Sequence, residues 1–315
     1  MPEFIRRLRH SGGASGALLM LAALCVAFAL LTDNFTDGAN LVNVAVQSTL
    51  LLLIALPMTL IIMTEGLDLS AGAVLTLANV VLAMVSVQTG GVGLALLAAL
   101  GVGAVFGLLN GTLVARLGIP PFVATLGTLG VAQGLALVLT DGQSVVGIPD
   151  VVQVFYGGTL LGIPAPLWIA AAAYLVFHVA LYHTRFGACV FALGGNREAL
   201  ALAGVRTRLY LVAVYLIGGL MAGLAALLLT ARISSGHPTA ALGMEFDAIA
   251  AVAVGGTSFE KGKGGLPGTV IGVLAVGVLR NGLNLMGVTS AVQVAAIGLL
   301  VLLALGIDAL RGRNG

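Results

Sequence analysis

Long apolar runs, separated by short polar or glycine-rich stretches, dominate this sequence. A helix that spans the hydrocarbon core of a bilayer needs about 20 mostly apolar residues. The runs lie near residues 16–32, 41–63, 70–88, 93–115, 122–140, 166–183, 208–231, 246–258, 268–287 and 291–309. They predict an all-α integral membrane protein of about ten transmembrane helices, with residues 1–315 forming a single transmembrane domain. The eighth run is too short for a full crossing, and we expect a broken or re-entrant segment there.

The composition leaves little chain for a soluble domain. Only 8% of the residues are charged and 59% are hydrophobic, whereas a soluble domain carries about 25% charged residues. The 45 glycines suit close helix–helix contact in lipid, where small residues let backbones approach. The net charge of +2 is too small to indicate a nucleic-acid partner.

Basic residues predict the orientation of the chain, because they concentrate in cytoplasmic loops. If the N-terminus is cytoplasmic, 12 of the 14 Lys and Arg residues fall on the inner side and only Arg232 and Arg280 do not. The inner residues are Arg6, Arg7, Arg9, Arg116, Arg185, Arg197, Arg206, Arg208, Lys261, Lys263, Arg311 and Arg313. Ten crossings then make both the tail at 1–15 and the tail at 310–315 cytoplasmic.

A basic, glycine-containing segment at 184–207 interrupts the apolar pattern on the inner side. Asn196 is a favourable N-cap, and Glu198 would lie in the first turn, where a negative charge suits the helix dipole. Gly204 supplies a stop signal. We therefore expect a short amphipathic helix at the membrane surface, which suits docking to a soluble partner better than catalysis.

Two parts of the chain look alike. FGLLNGTLVARLGI contains Asn110, and VGVLRNGLNLMGV contains Asn281. An acidic segment precedes each of them, EGLDLSAG from Glu65 and EFDAIAA from Glu245. The predicted topology places the corresponding parts at opposite faces of the membrane. The pattern thus predicts two inverted repeats of five helices each, an architecture common in transporters.

Four blocks of sequence carry a resemblance to a known family, and the resemblance runs from about residue 40 to 309. The blocks read TEGLDLSAGAVLTLANV, NGTLVARLGIPPFVATLGTLGVAQGLALVLT, FGACVFALGGNREALALAGV and FDAIAAVAVGGTSFEKGKGGLPGTVIGVLAVGVLRNGLNLMGV. They resemble the membrane permeases of sugar ATP-binding-cassette (ABC) importers, such as the ribose, xylose, arabinose and galactoside permeases. The chain departs from the family pattern at Ala188 and Cys189, where members often have two arginines, and at Glu65–Asp68, where they usually read GGID.

The resemblance implies a type II ABC importer fold in the bacterial inner membrane. It implies a homodimer, or a heterodimer with a sister permease, that encloses one translocation path. It also implies two soluble partners, a cytoplasmic ATPase with two nucleotide-binding halves that binds ATP and Mg²⁺, and a periplasmic sugar-binding protein. This chain itself would be a transport subunit without a catalytic site or a bound cofactor.

The resemblance further implies that 184–207 is the cytoplasmic coupling segment that contacts the ATPase. The residues it assigns to this contact are Phe186, Gly187, Leu193, Gly194, Gly195, Asn196, Arg197, Glu198 and Ala199.

Polar side chains inside the apolar runs, or directly between two of them, are the candidates for the translocation path. They are Glu65, Asp68, Asn110, Gln133, Asp247, Asn281 and Asn284. A buried acid costs about 2.5–3.5 kcal/mol at the bilayer centre, so it usually faces a cavity or a partner. Amides offer a neutral sugar the hydrogen-bond donors and acceptors it needs. The structural alternatives are that Asp68 caps the next helix and that the amides pair across helices.

Other functions remain open on the sequence alone. The same fold could carry branched-chain amino acids or nucleosides. A proton-coupled secondary carrier could use Glu65 and Asp68 as its titrating pair, without an ATPase. No nucleophile–base constellation is present, and Cys25 and Cys189 are predicted to form neither a disulfide nor a metal site.

Overall fold

The structure is a computed structural model that describes residues 12–258 and 262–312. It is almost entirely helical. Its one β-hairpin has two strands of two residues each, in which Thr159 pairs with Pro164. The elements are α1 (Gly12–Leu31), α2 (Gly38–Met63), α3 (Ala71–Thr89), α4 (Val92–Ala115), α5 (Pro121–Thr140), α6 (Asp150–Gly157), β1 (Thr159–Leu160), β2 (Ile163–Pro164), α7 (Ala165–His183), α8 (Arg185–Gly195), α9 (Arg197–Leu202), α10 (Thr207–Ile233), α11 (Met244–Val254), α12 (Leu266–Leu285) and α13 (Ser290–Gly312).

Nine of the ten predicted runs correspond to helices of 19 to 27 residues. Seven of these helices are long and apolar enough to cross a membrane, namely α2, α3, α4, α5, α7, α10 and α12. In the other two, α1 and α13, the described apolar stretches are Ser15–Leu31 and Ser290–Leu300. The fold class predicted from the apolar runs is therefore confirmed as a nearly all-helical chain suited to a membrane.

The eighth run forms the short helix α11, whose 11 residues extend about 16 Å, roughly half the hydrocarbon thickness. The chain on either side of α11 nevertheless joins opposite ends of the bundle. Gly236 exchanges two backbone hydrogen bonds of 2.8 Å with Val145, in the loop that leads to α6. Leu266 donates its N–H to the hydroxyl of Tyr182 at 3.0 Å, beside α8. We call these the α6 end and the α8 end. The chain from 234 to 265, described at 234–258 and 262–265, connects them and is called the broken segment.

The helices α4 and α10 pack backbone against backbone along a row of glycines. Gly103, Gly107 and Gly111 are spaced by four residues on one face of α4, and each lies against the backbone of α10. A Cβ atom at Gly103 would overlap the carbonyl oxygen of Gly219. Small residues at this spacing allow the close approach that stabilises helix pairs in lipid.

Helices α11 and α12 approach each other in the same way. A Cβ atom at Gly268 would overlap the carbonyl oxygen of Gly255, and one at Gly272 would overlap that of Ala251. The C-terminal half of α11 is thereby held against the first two turns of α12. Farther out, α4, α5 and α7 expose large apolar side chains such as Leu97, Val138 and Val176, which suits contact with lipid or with another membrane subunit.

The glycine row gives a matched pair of substitutions in one helix. Gly103→Ala should destabilise the fold by about 1–3 kcal/mol, because the added methyl group forces α4 away from α10. Gly101→Ala should have little effect, because no atom lies within 4 Å of a Cβ at that position. Thermal unfolding of both purified variants in the same detergent measures the difference. Equal melting temperatures for the two variants would contradict the close α4–α10 contact.

Candidate translocation and coupling sites

The helical path breaks between α2 and α3, at residues 64–70, and neighbouring side chains satisfy the exposed backbone. Glu65 has the left-handed φ of 60°, which ends α2. The carbonyl oxygen of Leu67 accepts hydrogen bonds from the hydroxyls of Thr125 at 3.3 Å and Tyr215 at 3.4 Å. The N–H of Leu69 donates to the Thr125 hydroxyl at 3.1 Å. This first break is therefore held by α5 and α10.

A buried polar cluster follows directly and contains two of the predicted path residues. The Oδ1 atom of Asp68 accepts from the N–H and the hydroxyl of Ser70, at 2.8 and 2.6 Å. Asn110 donates to the Ser70 hydroxyl at 2.8 Å and accepts from the Thr128 hydroxyl at 2.7 Å. All four residues are at most 4% exposed. Asp68 thus binds the backbone at the start of α3. Asn110, on α4, connects Ser70 at the start of α3 with Thr128 on α5.

A second break, at residues 234–243, precedes α11 and is also held by side chains. Asn79 on α3 donates to the carbonyl oxygen of Ser235 at 3.1 Å and accepts from the N–H of His237 at 2.9 Å. Thr76, one turn earlier, accepts from the N–H of Ala241 at 3.1 Å. The second break consequently runs alongside α3 towards its N-terminus.

The N-termini of α3 and α11 meet where this second break ends. Glu245, in the first turn of α11, is 3% exposed and its Oε1 atom accepts from the N–H of Gly243 at 3.2 Å. Its Oε2 atom has no hydrogen-bond partner among the described residues and lies against Gly72, where a Cβ atom would collide with it. In transporters, the ends of such interrupted helices commonly line the binding site.

Asp247, a second acid in α11, forms an ion pair with Arg280 of α12. Arg280 was one of the two basic residues that the predicted topology did not place on the inner side. Asp247 is buried whereas Arg280 is exposed. A buried acid requires a partner, and Arg280 supplies one.

The remaining predicted path residues lie apart from one another. Asn281 exchanges two hydrogen bonds with Asn40, of 2.8 and 3.0 Å, near the start of α2. Gln133 donates to the carbonyl oxygen of Pro238 at 2.8 Å, and its Oε1 atom is buried without a described partner. Glu65 and Asn284 are exposed at the ends of α2 and α12.

Sequence reasoning did not select several residues that the structure places at the two breaks. They are Ser70, Thr76, Asn79, Thr128, Glu245 and Arg280. Asn79 and Glu245 carried the same signal as the chosen residues, a polar side chain inside or beside an apolar run. The hydroxyls did not, because Ser and Thr are common in transmembrane helices. Within the described ranges, no three His, Cys, Asp or Glu side chains are grouped as a metal site requires.

The predicted coupling segment, residues 184–207, forms two short helices, α8 and α9, and its predicted capping is confirmed. The Oδ1 atom of Asn196 accepts from the N–H of Ala199 at 2.9 Å. Helix α9 begins at Arg197 with Glu198 in its first turn. Gly204 has the left-handed φ of 81°, and its N–H donates to the carbonyl oxygen of Ala201 at 3.0 Å.

Helix α8 is fixed to the bundle, whereas α9 projects from it. Val190, Leu193 and Gly194 of α8 are buried, and a Cβ atom at Gly194 would overlap the carbonyl oxygen of Met63 at the end of α2. No residue of α9 is buried, and Leu202 is 90% exposed. The α8 end therefore presents an uncovered helix on a rigid support.

Comparison with known proteins indicates the family of this chain. Residues 40–305 match the family described as branched-chain amino acid transport system / permease component. The ribose import permease protein of Escherichia coli strain K12 is 40% identical over 297 residues, which cover 93% of this chain and 92% of that protein. Its Bacillus subtilis strain 168 counterpart is 40% identical over 295 residues, with the same two coverages. The D-allose transport system permease protein of E. coli K12 is 35% identical over 299 residues, covering 94% and 91%.

No solved structure matches the chain significantly. The family match extends over most of the chain, and the three relatives align with it almost from end to end. This chain therefore belongs to the family of membrane permease components described as branched-chain amino acid transport system / permease component.

Proposed function

We propose that this chain is the membrane-spanning permease of an ATP-driven importer that carries a monosaccharide across the bacterial inner membrane. The observation that carries the proposal is the 40% identity, over 93% of the chain, to proteins named as ribose import permeases. The family description refers to branched-chain amino acids, but the relatives with the alignments reported above are named for the sugars ribose and allose. We base the proposed substrate on the names of these individual relatives, because the family description covers permeases more broadly.

The translocation path is proposed to pass the second break. Two buried side-chain oxygens without a described partner, Gln133 Oε1 and Glu245 Oε2, belong to residues that contact this region. Both can accept hydrogen bonds, and a sugar offers hydroxyl donors in all directions. Asp68 and Asn110 would then shape the path by holding the first break in place. Glu65, Asp247, Asn281 and Asn284 remain candidates for lining its two ends.

The architecture is proposed to be two inverted repeats, with the broken segment 234–265 as the eighth of ten crossings. In this correspondence α2, α3 and α4 match α10, α11 and α12. The packing supports it, because α4 packs against α10 while α12 packs against α2. Asn110 lies near the end of α4 that faces the start of α10, whereas its counterpart Asn281 contacts Asn40 at the opposite end of the bundle.

The α8 end is proposed to be cytoplasmic, with both termini on that side. Arginines concentrate there, at positions 185, 197, 206 and 208, as expected of an inner face. The exposed α9 would bind an ATPase with two nucleotide-binding halves, which carries the ATP and Mg²⁺. The α6 end would receive a periplasmic sugar-binding protein. A second permease copy, identical or related, would pack against the exposed apolar helices α4, α5 and α7 and complete the path.

The contacts suggest how the ATPase drives the cycle. Movement of α9 is transmitted through the Asn196 cap to α8. Gly194 lies against the backbone of both Met63 and Gly262, so α8 contacts the chain at the end of α2 and just before α12. The first contact leads to the first break, and the second leads to the broken segment. ATP binding would thus shift both breaks together and open the path towards one side.

Uptake by reconstituted vesicles tests the proposed function. The chain is incorporated together with the ATPase and the binding protein encoded by its own genome, and uptake of radiolabelled ribose, allose and leucine is compared. We expect ATP-dependent uptake of one of the sugars and none of leucine. Leucine uptake, or sugar uptake by the chain alone driven by a proton gradient, would contradict the proposal.

The substitution Glu198→Lys tests the coupling role of α9. Reversing the charge on an exposed helix at the ATPase contact should weaken that contact about tenfold or more, since like charges at an interface cost several kcal/mol. Purification of the complex in mild detergent measures the retained ATPase. Asp150→Lys is the matched control, because Asp150 occupies the first turn of the short helix α6 at the other end of the bundle. Equal retention of the ATPase by both variants would refute the role of α9.

A further inference from the structure

A surface groove lies where the proposed coupling segment joins α10, and it shares only Phe186 with the residues assigned above to the ATPase contact. It lies between α8 and the first two turns of α10 and has a volume of about 430 Å³, a size typical of small-ligand sites. Its lining residues are Phe186, Val205, Arg206, Leu209, Tyr210 and Ala213. All of them except Arg206 present apolar surface, so the groove suits a ligand with a long apolar part.

The polar and apolar parts of this groove are separated along α10. Arg206 stands at the mouth, immediately before α10 begins, and Ala213 lies about 10 Å farther along the helix axis. Leu209, which lies between them, is 51% exposed, and the Phe186 and Tyr210 rings form one wall with their centroids 6.1 Å apart. The groove therefore runs from a charged rim at the α8 end into the apolar zone of the bundle.

The charge at the mouth is positive and lacks an acidic partner. Arg206 and Arg208 are exposed, and so is Arg185, which begins α8 immediately before Phe186. None of these three arginines forms an ion pair within residues 12–258 and 262–312. The mouth also lies at the N-terminus of the 27-residue helix α10, whose dipole adds partial positive charge.

We propose that this groove binds one anionic phospholipid from the cytoplasmic leaflet, such as phosphatidylglycerol. The phosphate would contact Arg206 and the start of α10, and one acyl chain would lie along Leu209 and Ala213. Basic sites between helices on this side of a membrane are suited to anionic headgroups. A free phosphate or nucleotide would leave the apolar wall unfilled. The inference depends on the orientation proposed above but not on the transported solute.

A photoreactive phospholipid tests the site in the assembled complex of permease and ATPase. Phosphatidylglycerol with a photoactivatable acyl chain is incorporated into the vesicles, and cross-linked peptides are identified by mass spectrometry. A phosphatidylcholine probe with the same acyl chains controls for headgroup charge. We expect cross-links to residues 205–213 that are at least about fivefold more abundant with phosphatidylglycerol, since one surface arginine contributes about this factor.

Two variants make the result specific to the groove. Arg206→Gln should lower the phosphatidylglycerol cross-links about fivefold, whereas Arg116→Gln, which removes another exposed arginine between α4 and α5, should not. Ala213→Phe should displace the acyl chain without changing the charge. Equal labelling by both lipids, or no loss in Arg206→Gln, would overturn the proposal. So would labelling that appears only when the ATPase is removed, because the groove would then be a protein interface.

These outcomes are separable from failure of the proposed function. Lipid labelling requires neither sugar uptake nor ATP hydrolysis, so its loss would not disprove a sugar permease. Conversely, a chain that transports a different solute would still retain the lipid.

Discussion

The two helix breaks determine how the rest of this bundle is arranged, because lipid offers no hydrogen bonds to an exposed backbone. Each break leaves N–H and C=O groups that neighbouring side chains must satisfy. Thr125 and Tyr215 do so for the first break, and Asn79 and Thr76 for the second. These side chains come from α3, α5 and α10, so three long helices must hold fixed positions around the interruptions.

The same constraint explains the glycines that bring particular helix pairs into contact. A broken segment contributes little helix to pack, so it must approach its neighbour closely to be stabilised. Gly255 and Gly268 provide this approach between α11 and α12, and Gly72 provides it between α3 and the Glu245 carboxyl group. At the α8 end, Gly194 brings α8 against the backbone of α2. The first break and the exposed helix α9, which follows α8, thereby belong to one connected framework.

Local signals in the sequence predicted much of this structure, whereas contacts distant in sequence were beyond them. The apolar runs predicted the long helices to within about four residues at their ends, and Asn196 and Gly204 predicted the ends of α9, because length and capping are local properties. The network of Asp68, Ser70, Asn110 and Thr128 depends on three segments meeting. Periodicity does not reveal such a meeting, nor did it reveal that Arg280 pairs with Asp247.

The central claim is that the chain crosses the membrane between α10 and α12 through a segment whose described residues include one helix of 11 residues. Single cysteines at Ser234 and Lys263, both exposed, test it in a variant whose native Cys25 and Cys189 are replaced by serine. A membrane-impermeant thiol reagent is applied to cells and, separately, to inverted membrane vesicles. The account predicts that position 234 reacts only in cells and position 263 only in inverted vesicles. Reaction of both positions from the same side would show that the segment returns to the side it came from, and would contradict the account.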